Sequence, residues 1–253
     1  DRATRRAIHR LDATALGEAR RLGAISQNVA DRVKRNNGLD AEVILPPPQQ
    51  LDFRCDSYDG FVLSVNRLDR AKRIDLLLDA AKAEPRLRVV VAGEGPDRER
   101  LERLAGEVNG RIVFTGRVDD ERLADLYARC LAVYYAPVDE DFGMVPYEAF
   151  LSSKPVLTTT DAGGPLEIVR DRETGLVVAP EPAELARAAS YVLGNAGEAE
   201  AWGRAGKAAA DYAATAKPAS PAVMRQAEDE VRRLELMRSA DGGTERIADI
   251  RED

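Results

Sequence analysis

The sequence predicts an α/β domain: a Rossmann-like parallel sheet with helices on both faces. Three observations carry that expectation. Short apolar runs recur at Phe61–Val65, Leu87–Val91, Ile112–Phe114, Leu131–Tyr135, Val156–Thr159 and Leu176–Val178. They are near-continuously apolar rather than alternating, as strands buried on both faces are. Helical patterns fill every gap between them, and alternation of strand and helix is the pattern of a doubly wound sheet. Right-handed crossovers then bring the strand C-termini to one edge, where such sheets bind ligands. The residues that follow each strand are therefore the ones to read for function.

The elements follow in order. Ile8, Leu11, Ala15, Ala19 and Leu22 recur every three or four residues, which predicts an amphipathic helix already under way at Asp1. A short strand is expected at Ala24–Ser26, a helix over Asn28–Asn36 ended by the turn signal Asn37-Gly38, and a strand at Glu42–Leu45. Pro46-Pro47-Pro48-Gln49-Gln50 reads as a stiff connector. Within the α/β region, helices are expected at Ile74–Ala83, Asp97–Glu107, Asp120–Arg129, Val145–Ser152, Leu166–Arg170 and Pro182–Leu193. Further on, Val223, Met224, Ala227, Val231, Leu234 and Met237 form an apolar stripe at helical spacing, and a polar tail begins near Asp241. The chain thus divides into residues 1–45, a linker 46–60, the α/β domain 61–197, C-terminal helices 198–239 and a tail 240–253.

Composition narrows the function. With 37 Lys+Arg against 44 Asp+Glu the net charge is −7, which argues against a general nucleic-acid binder. A hydrophobic content of 44% is enough for a sizeable core. No apolar run approaches the ~18 residues of a membrane span, and the charged start Asp1–Arg10 has no signal-peptide character. Cys55 and Cys130 lie too far apart to suggest a metal knuckle and read as two free thiols. His9, the only histidine, sits among arginines and reads as surface.

Three post-strand loops carry the chemistry. Asn66-Arg67-Leu68-Asp69-Arg70-Ala71-Lys72-Arg73 puts four cations where a helix opens, either an anion site or solvated surface charge. Ala92-Gly93-Glu94-Gly95-Pro96-Asp97 lacks G-x-G-x-x-G and reads more simply as a turn into a helix than as a phosphate loop. The segment Ala136–Phe150 is the densest. Pro146 fits a first helical turn, and the amides of Gly143, Met144 and Val145 are placed to donate to a phosphate. The missing dinucleotide fingerprint argues against a dehydrogenase.

Residues Glu140–Glu148 read E-D-F-G-M-V-P-Y-E, which resembles the E-x7-E motif of retaining GT-B glycosyltransferases, family 4-like, in glycosyl transferases group 1. Ser64–Leu68 with Lys72, Val89–Pro96, Phe114–Val118, Lys154–Leu157, Gly163–Glu167 and Thr174–Val177 resemble the family's other segments in register over about residues 60–195. The resemblance implies the C-terminal, donor-binding half of a GT-B fold, with a nucleotide-diphosphate sugar of the UDP or GDP type as donor and no metal or other cofactor. It implies that Arg67 and Lys72 neutralise the diphosphate, helped by Gly143, Met144 and Val145, and that Glu148 holds the ribose. Glu140 would then stand at the reacting face, and Gly116, Arg117 and Val118 would meet the base. Residues 1–45 resemble the end of a partner acceptor domain that lies upstream. The chain would then be a donor-binding fragment inactive by itself, cytoplasmic or in peripheral contact with a membrane through that domain. A non-catalytic nucleotide-binding module is the alternative.

Departures from the family pattern are Asn66, where Gly is common, and Phe150-Leu151-Ser152-Ser153 before Lys154; neither removes a charged contact. Asp139-Glu140-Asp141 spells D-x-D, a metal signature of the other glycosyltransferase fold. Its place inside E-x7-E, ahead of a helix, points instead to a turn and a helix-dipole role for Asp139 and Asp141.

Overall fold

A computed structural model describes residues 2–46, 51–108 and 110–215. The N-terminal part is α1 (Arg2–Glu18), β1 (Gly23–Ala24), α2 (Gln27–Asn37) and β2 (Glu42–Val43), with β1 and β2 paired in parallel. The α/β part runs β3 (Asp59–Val65), α3 (Ile74–Ala83), β4 (Val89–Ala92), α4 (Arg98–Ala105), β5 (Ile112–Gly116), α5 (Asp120–Arg129) and β6 (Cys130–Tyr134). It continues through α6 (Met144–Leu151), β7 (Val156–Thr159), β8 (Gly175–Val178), α7 (Pro182–Gly194) and α8 (Ala196–Thr215).

The six strands β3–β8 are parallel throughout, in the order β5-β4-β3-β6-β7-β8. The chain winds outward from β3 to β5, crosses back, and winds the other way from β6, so the topological switch lies between β3 and β6. Strand side chains divide between two cores. Val62, Val89, Val91 and Tyr134 join Leu77, Leu101 and Leu185 of the helices on one face; Leu63, Ala92 and Val133 join Tyr127 and Phe150 on the other. Burial on both faces is what made these strands legible as unbroken apolar runs.

Differences from the sequence reading have local causes. Leu166–Arg170 is not an α-helix but follows a short 3-10 turn, Gly164–Glu167. The Thr174 hydroxyl accepts from Arg170 N (2.9 Å) and donates to Ile168 O (3.2 Å), taking backbone groups that a continuing helix would pair. Ser26 is not a strand residue; its Oγ accepts from Val29 N at 3.1 Å and caps α2. The helix expected over Asp97–Glu107 ends at Ala105 and tightens into a 3-10 turn. Leu87 lies in the turn before β4. The first helix spans Arg2–Glu18 and buries none of its residues; Ile8 and Leu11 are 52% and 70% exposed. The stripe Val223–Met237, the tail and Pro47–Gln50 lie outside the described residues.

Gly175 of β8 lies close against β7: a Cβ there would be 2.0 Å from Val156 O. Gly175→Ala therefore has to push backbone against backbone. It is expected to lower unfolding free energy by ~1–3 kcal/mol or more, read by denaturant titration.

Candidate active site

The crevice outside β3 and β6 is assembled from the loops after β3, β4, β5 and β6. The first continues β3. Asn66 N donates to Ala92 O and Leu68 N to Glu94 O, both at 3.0 Å, so this loop lies backbone to backbone on the one after β4. Cβ atoms on Gly93 and Gly95 would fall 1.9 Å from Asn66 O and 2.3 Å from Leu68 O. The two glycines therefore allow close loop packing, and Gly93 also borders the cleft. Asn66, at the place where the family often has Gly, turns its amide back to Ser64 Oγ at 3.1 Å.

The four cations of this loop part company. Arg73, at φ 49, is a staple: its guanidinium donates to Ala136 O (2.8 Å), Pro137 O (2.9 Å) and Thr159 Oγ1 (2.7 Å) and pairs with Asp161. It is thus engaged in joining the loops after β6 and β7. Arg67 is 73% exposed, with Asp69 near it at 3.7 Å. Lys72 turns inward and ion-pairs with Glu140, its Nζ 5.6 Å from the Tyr135 ring centroid.

The last of these loops follows β6. Tyr135 Oη donates to Glu140 Oε2 at 3.1 Å; burial, and then the Glu140 charge, hold this phenol well above its ordinary value. Gly143, at φ 82, precedes α6, and a Cβ there would meet the Tyr135 ring at 2.6 Å. It lets the chain turn so that Met144 and Val145, whose amides open the helix, face the crevice. One turn further, Glu148 is buried and accepts from Tyr127 Oη at 2.6 Å. Burial raises its carboxyl above the usual glutamate value, and the Tyr127 hydrogen bond opposes that shift.

These loops enclose a cleft of about 470 Å³. Arg67, Lys72, Arg117, Val118, Met144, Val145 and Glu148 line it, together with Asn66, Glu94, Leu123 and Tyr135. Three expected site residues do not line it. Gly116, at φ 69, packs beneath Arg98 and Glu94; Gly143 acts through backbone shape; Glu140 reaches the cleft edge through Lys72 and Tyr135. Sequence reasoning missed Tyr127 and Tyr135. Both sit where an aromatic side chain reads as core, and nothing in the local sequence signals that their hydroxyls bond the two glutamates.

Asp139 and Asp141 precede α6, and their side chains have a cation partner that the sequence reading did not foresee. Both pair with Arg32, Asp141 at 2.6 Å and Asp139 at 3.2 Å. The Asn28 amide, and then Arg32, hold the Asp139 carboxyl below its ordinary value. Among the described residues no group of three or more His, Cys, Asp or Glu side chains could hold a metal. His9 is exposed on α1 beside Arg5, Cys55 is an exposed thiol and Cys130 a buried one.

Comparison with known proteins decides the family. The model of the family Glycosyl transferases group 1 matches residues 53–209. The chain belongs to this family. It is 30% identical over 196 residues to alpha-1,3/1,6-mannosyltransferase ALG2 of Dictyostelium discoideum, covering 67% of this chain and 45% of that protein. It is 32% identical over 178 residues to the GDP-mannose-dependent alpha-mannosyltransferase of Mycobacterium tuberculosis, covering 68% of this chain and 46% of that one. The chain thus spans about half the length of the curated relatives it matches. Sucrose-phosphate synthase from Thermosynechococcus elongatus superposes with a TM-score of 0.73 at 26% identity, over 89% of this chain and 61% of its own. Anabaena Alr3699/HepE, solved in complex with UDP and glucose, has the same fold at 22% identity (TM-score 0.68, 76% of this chain and 59% of its own). The six-stranded sheet of this group 1 glycosyltransferase chain is accordingly the C-terminal sheet of the GT-B fold. Among the described residues no helix is long and apolar enough to cross a membrane.

Glu148 offers a pH test. Its folded value is raised above the ordinary 4.5, so the native chain keeps a proton that the unfolded chain releases. Stability present below pH 4.5 is then lost as pH rises through the folded value. Glu148→Gln keeps an acceptor for Tyr127 and does not ionise. Its stability relative to the parent chain is expected to improve from pH 4.5 to neutrality, measured as the difference in unfolding free energy. A difference that stays flat with pH would contradict burial as the leading cause.

Proposed function

We propose that this chain is the donor-binding half of a glycosyltransferase that takes its sugar from a nucleotide-diphosphate sugar and transfers it with retention. The carrying observation is the cleft at the β3/β6 switch, lined together by Arg67, Lys72, the start of α6 and Glu148. Two cations and a helix N-terminus suit a diphosphate. The negative charge on that diphosphate grows as the glycosidic bond breaks, so Arg67 and Lys72 stabilise the transition state more than the ground state. Glu148 accepts from ribose hydroxyls, as it accepts from Tyr127, and Arg117 and Val118 border the base. Glu140 faces the sugar. Its ion pair with Lys72 opens when the diphosphate arrives, freeing the ammonium for phosphate and the carboxylate for sugar hydroxyls. UDP and GDP donors both fit this chemistry; two similar proteins are named for GDP-mannose and for a UDP complex.

The donor site holds the diphosphate without a metal, because Asp139 and Asp141 are engaged by Arg32. Acceptor binding belongs to sequence beyond the span that this chain shares with its relatives, so transfer needs a second domain. Positioning of two reactants accounts for ~7–11 kcal/mol of a barrier.

Titration calorimetry with UDP and GDP tests the reading. Arg67→Ala and Lys72→Ala are each expected to weaken whichever nucleotide binds by ~1.5–3 kcal/mol, the worth of a hydrogen bond to a charged group. Unchanged affinity would remove the clamp. EDTA is expected to change that affinity by less than about tenfold, ~1.4 kcal/mol. The purified 253-residue chain is expected to bind nucleotide without turning over sugar donor to acceptor; turnover would refute the need for a second domain.

A further inference from the structure

The start of α2 grips the backbone on both sides of Glu140. Ser26 Oγ donates to Asp141 O. Asn28 Nδ2 donates to Glu140 O at 3.0 Å and to Asp139 Oδ1 at 3.1 Å. Arg32 Nη1 reaches Asp141 Oδ1 at 2.6 Å, and Nη2 reaches Asp139 Oδ1 at 3.2 Å and Asp139 O at 3.3 Å. Three successive carbonyls, of Asp139, Glu140 and Asp141, thus end on side chains of one short stretch. From the sheet side, Asp139 N donates to Asp161 O (3.0 Å), Glu140 N to Ala162 O (2.9 Å), and Gly164 N to Glu140 O (2.8 Å). The clasp is itself anchored: the Glu167 carboxylate accepts from Gln27 N at 3.0 Å and Asn28 N at 2.8 Å, where the dipole of α2 favours an anion.

The loop needs this support. Asp139 sits at φ 45, a left-handed conformation that a non-glycine residue adopts at a cost. Three carboxylates in three residues repel one another, and Arg32 is the cation facing the outer two.

We infer that Asn28 and Arg32 are positioning residues: they hold the 139–141 loop so that the Glu140 carboxylate meets Lys72 and Tyr135 at the cleft edge. What Glu140 does there rests on the donor-site reading above; the clasp does not. A consequence is that a shift of α2 moves Glu140 without touching the nucleotide.

Hydrogen exchange on the full 253-residue chain tests the clasp directly. In Arg32→Ala, exchange at the Glu140 and Gly164 amides is expected to rise at least ~tenfold, while the amides of β3 and β4 stay protected. Arg32→Lys should restore part of the protection. Lys34→Ala, whose partner Asp40 lies in the same N-terminal part, should change nothing. Unchanged exchange at Glu140 in Arg32→Ala overturns the inference. The second arm compares binding of UDP with UDP-glucose and of GDP with GDP-mannose. Arg32→Ala should leave nucleoside-diphosphate affinity within about twofold, alter sugar-nucleotide affinity in the same direction as Glu140→Gln, and add nothing to Glu140→Gln in the double variant. Additive effects would show that Arg32 does not act through Glu140 and would overturn its positioning role. Failure to bind any of these nucleotides overturns the donor-site reading instead, and the exchange arm still decides the clasp.

Discussion

A sheet buried on both faces leaves ionisable chemistry one place to go, its carboxyl edge. In this chain that edge is opened at a single point, between β3 and β6, where consecutive helices leave in opposite directions. Each polar group of the candidate site is delivered there by a short loop, and the loops are tied to one another as well as to the sheet. Arg73 binds the loops after β6 and β7, and Tyr134 Oη returns to Arg73 O at 2.7 Å. The arginine that looked like part of an anion site is spent on tying neighbouring loops together.

The two acids of E-x7-E are placed in opposite surroundings. Glu140 shares an ammonium and a phenol at the rim, whereas Glu148 is buried with only the Tyr127 hydroxyl to oppose its desolvation. Two carboxylates in unlike environments can take unlike tasks. Here one is ion-paired with Lys72 and the other is buried and accepts from Tyr127. Gly143, between them, lies so close to the Tyr135 ring that a Cβ there would clash.

The sheet was readable because its physics is local in sequence: double burial writes unbroken apolar runs at Phe61–Val65 and Val156–Thr159. The residues lining the cleft were readable from family resemblance and from their place after strands. What stayed hidden was what depends on distant partners. The Leu166–Arg170 pattern looks helical until Thr174 takes its backbone groups. The pairing of Asp139 and Asp141 with Arg32, far earlier in the chain, has no local signal in the sequence. Tyr127 looks like core because it is core along its ring; its hydroxyl is the exception.

The interlock of the loops after β3 and β4 bears on how this protein tolerates change in length. Asn66 and Leu68 donate to Ala92 and Glu94, and Gly93 and Gly95 allow the backbones to touch. Neither loop can gain a residue by bulging outward in isolation, since each is the other's wall. An insertion in the Gly93–Gly95 turn would lift the backbone that carries Arg67, although neither glycine has a side chain to contribute. Natural length variation in this domain should therefore collect at other connections, such as the one between α4 and β5, where Gly106 and Gly110 have open space around them.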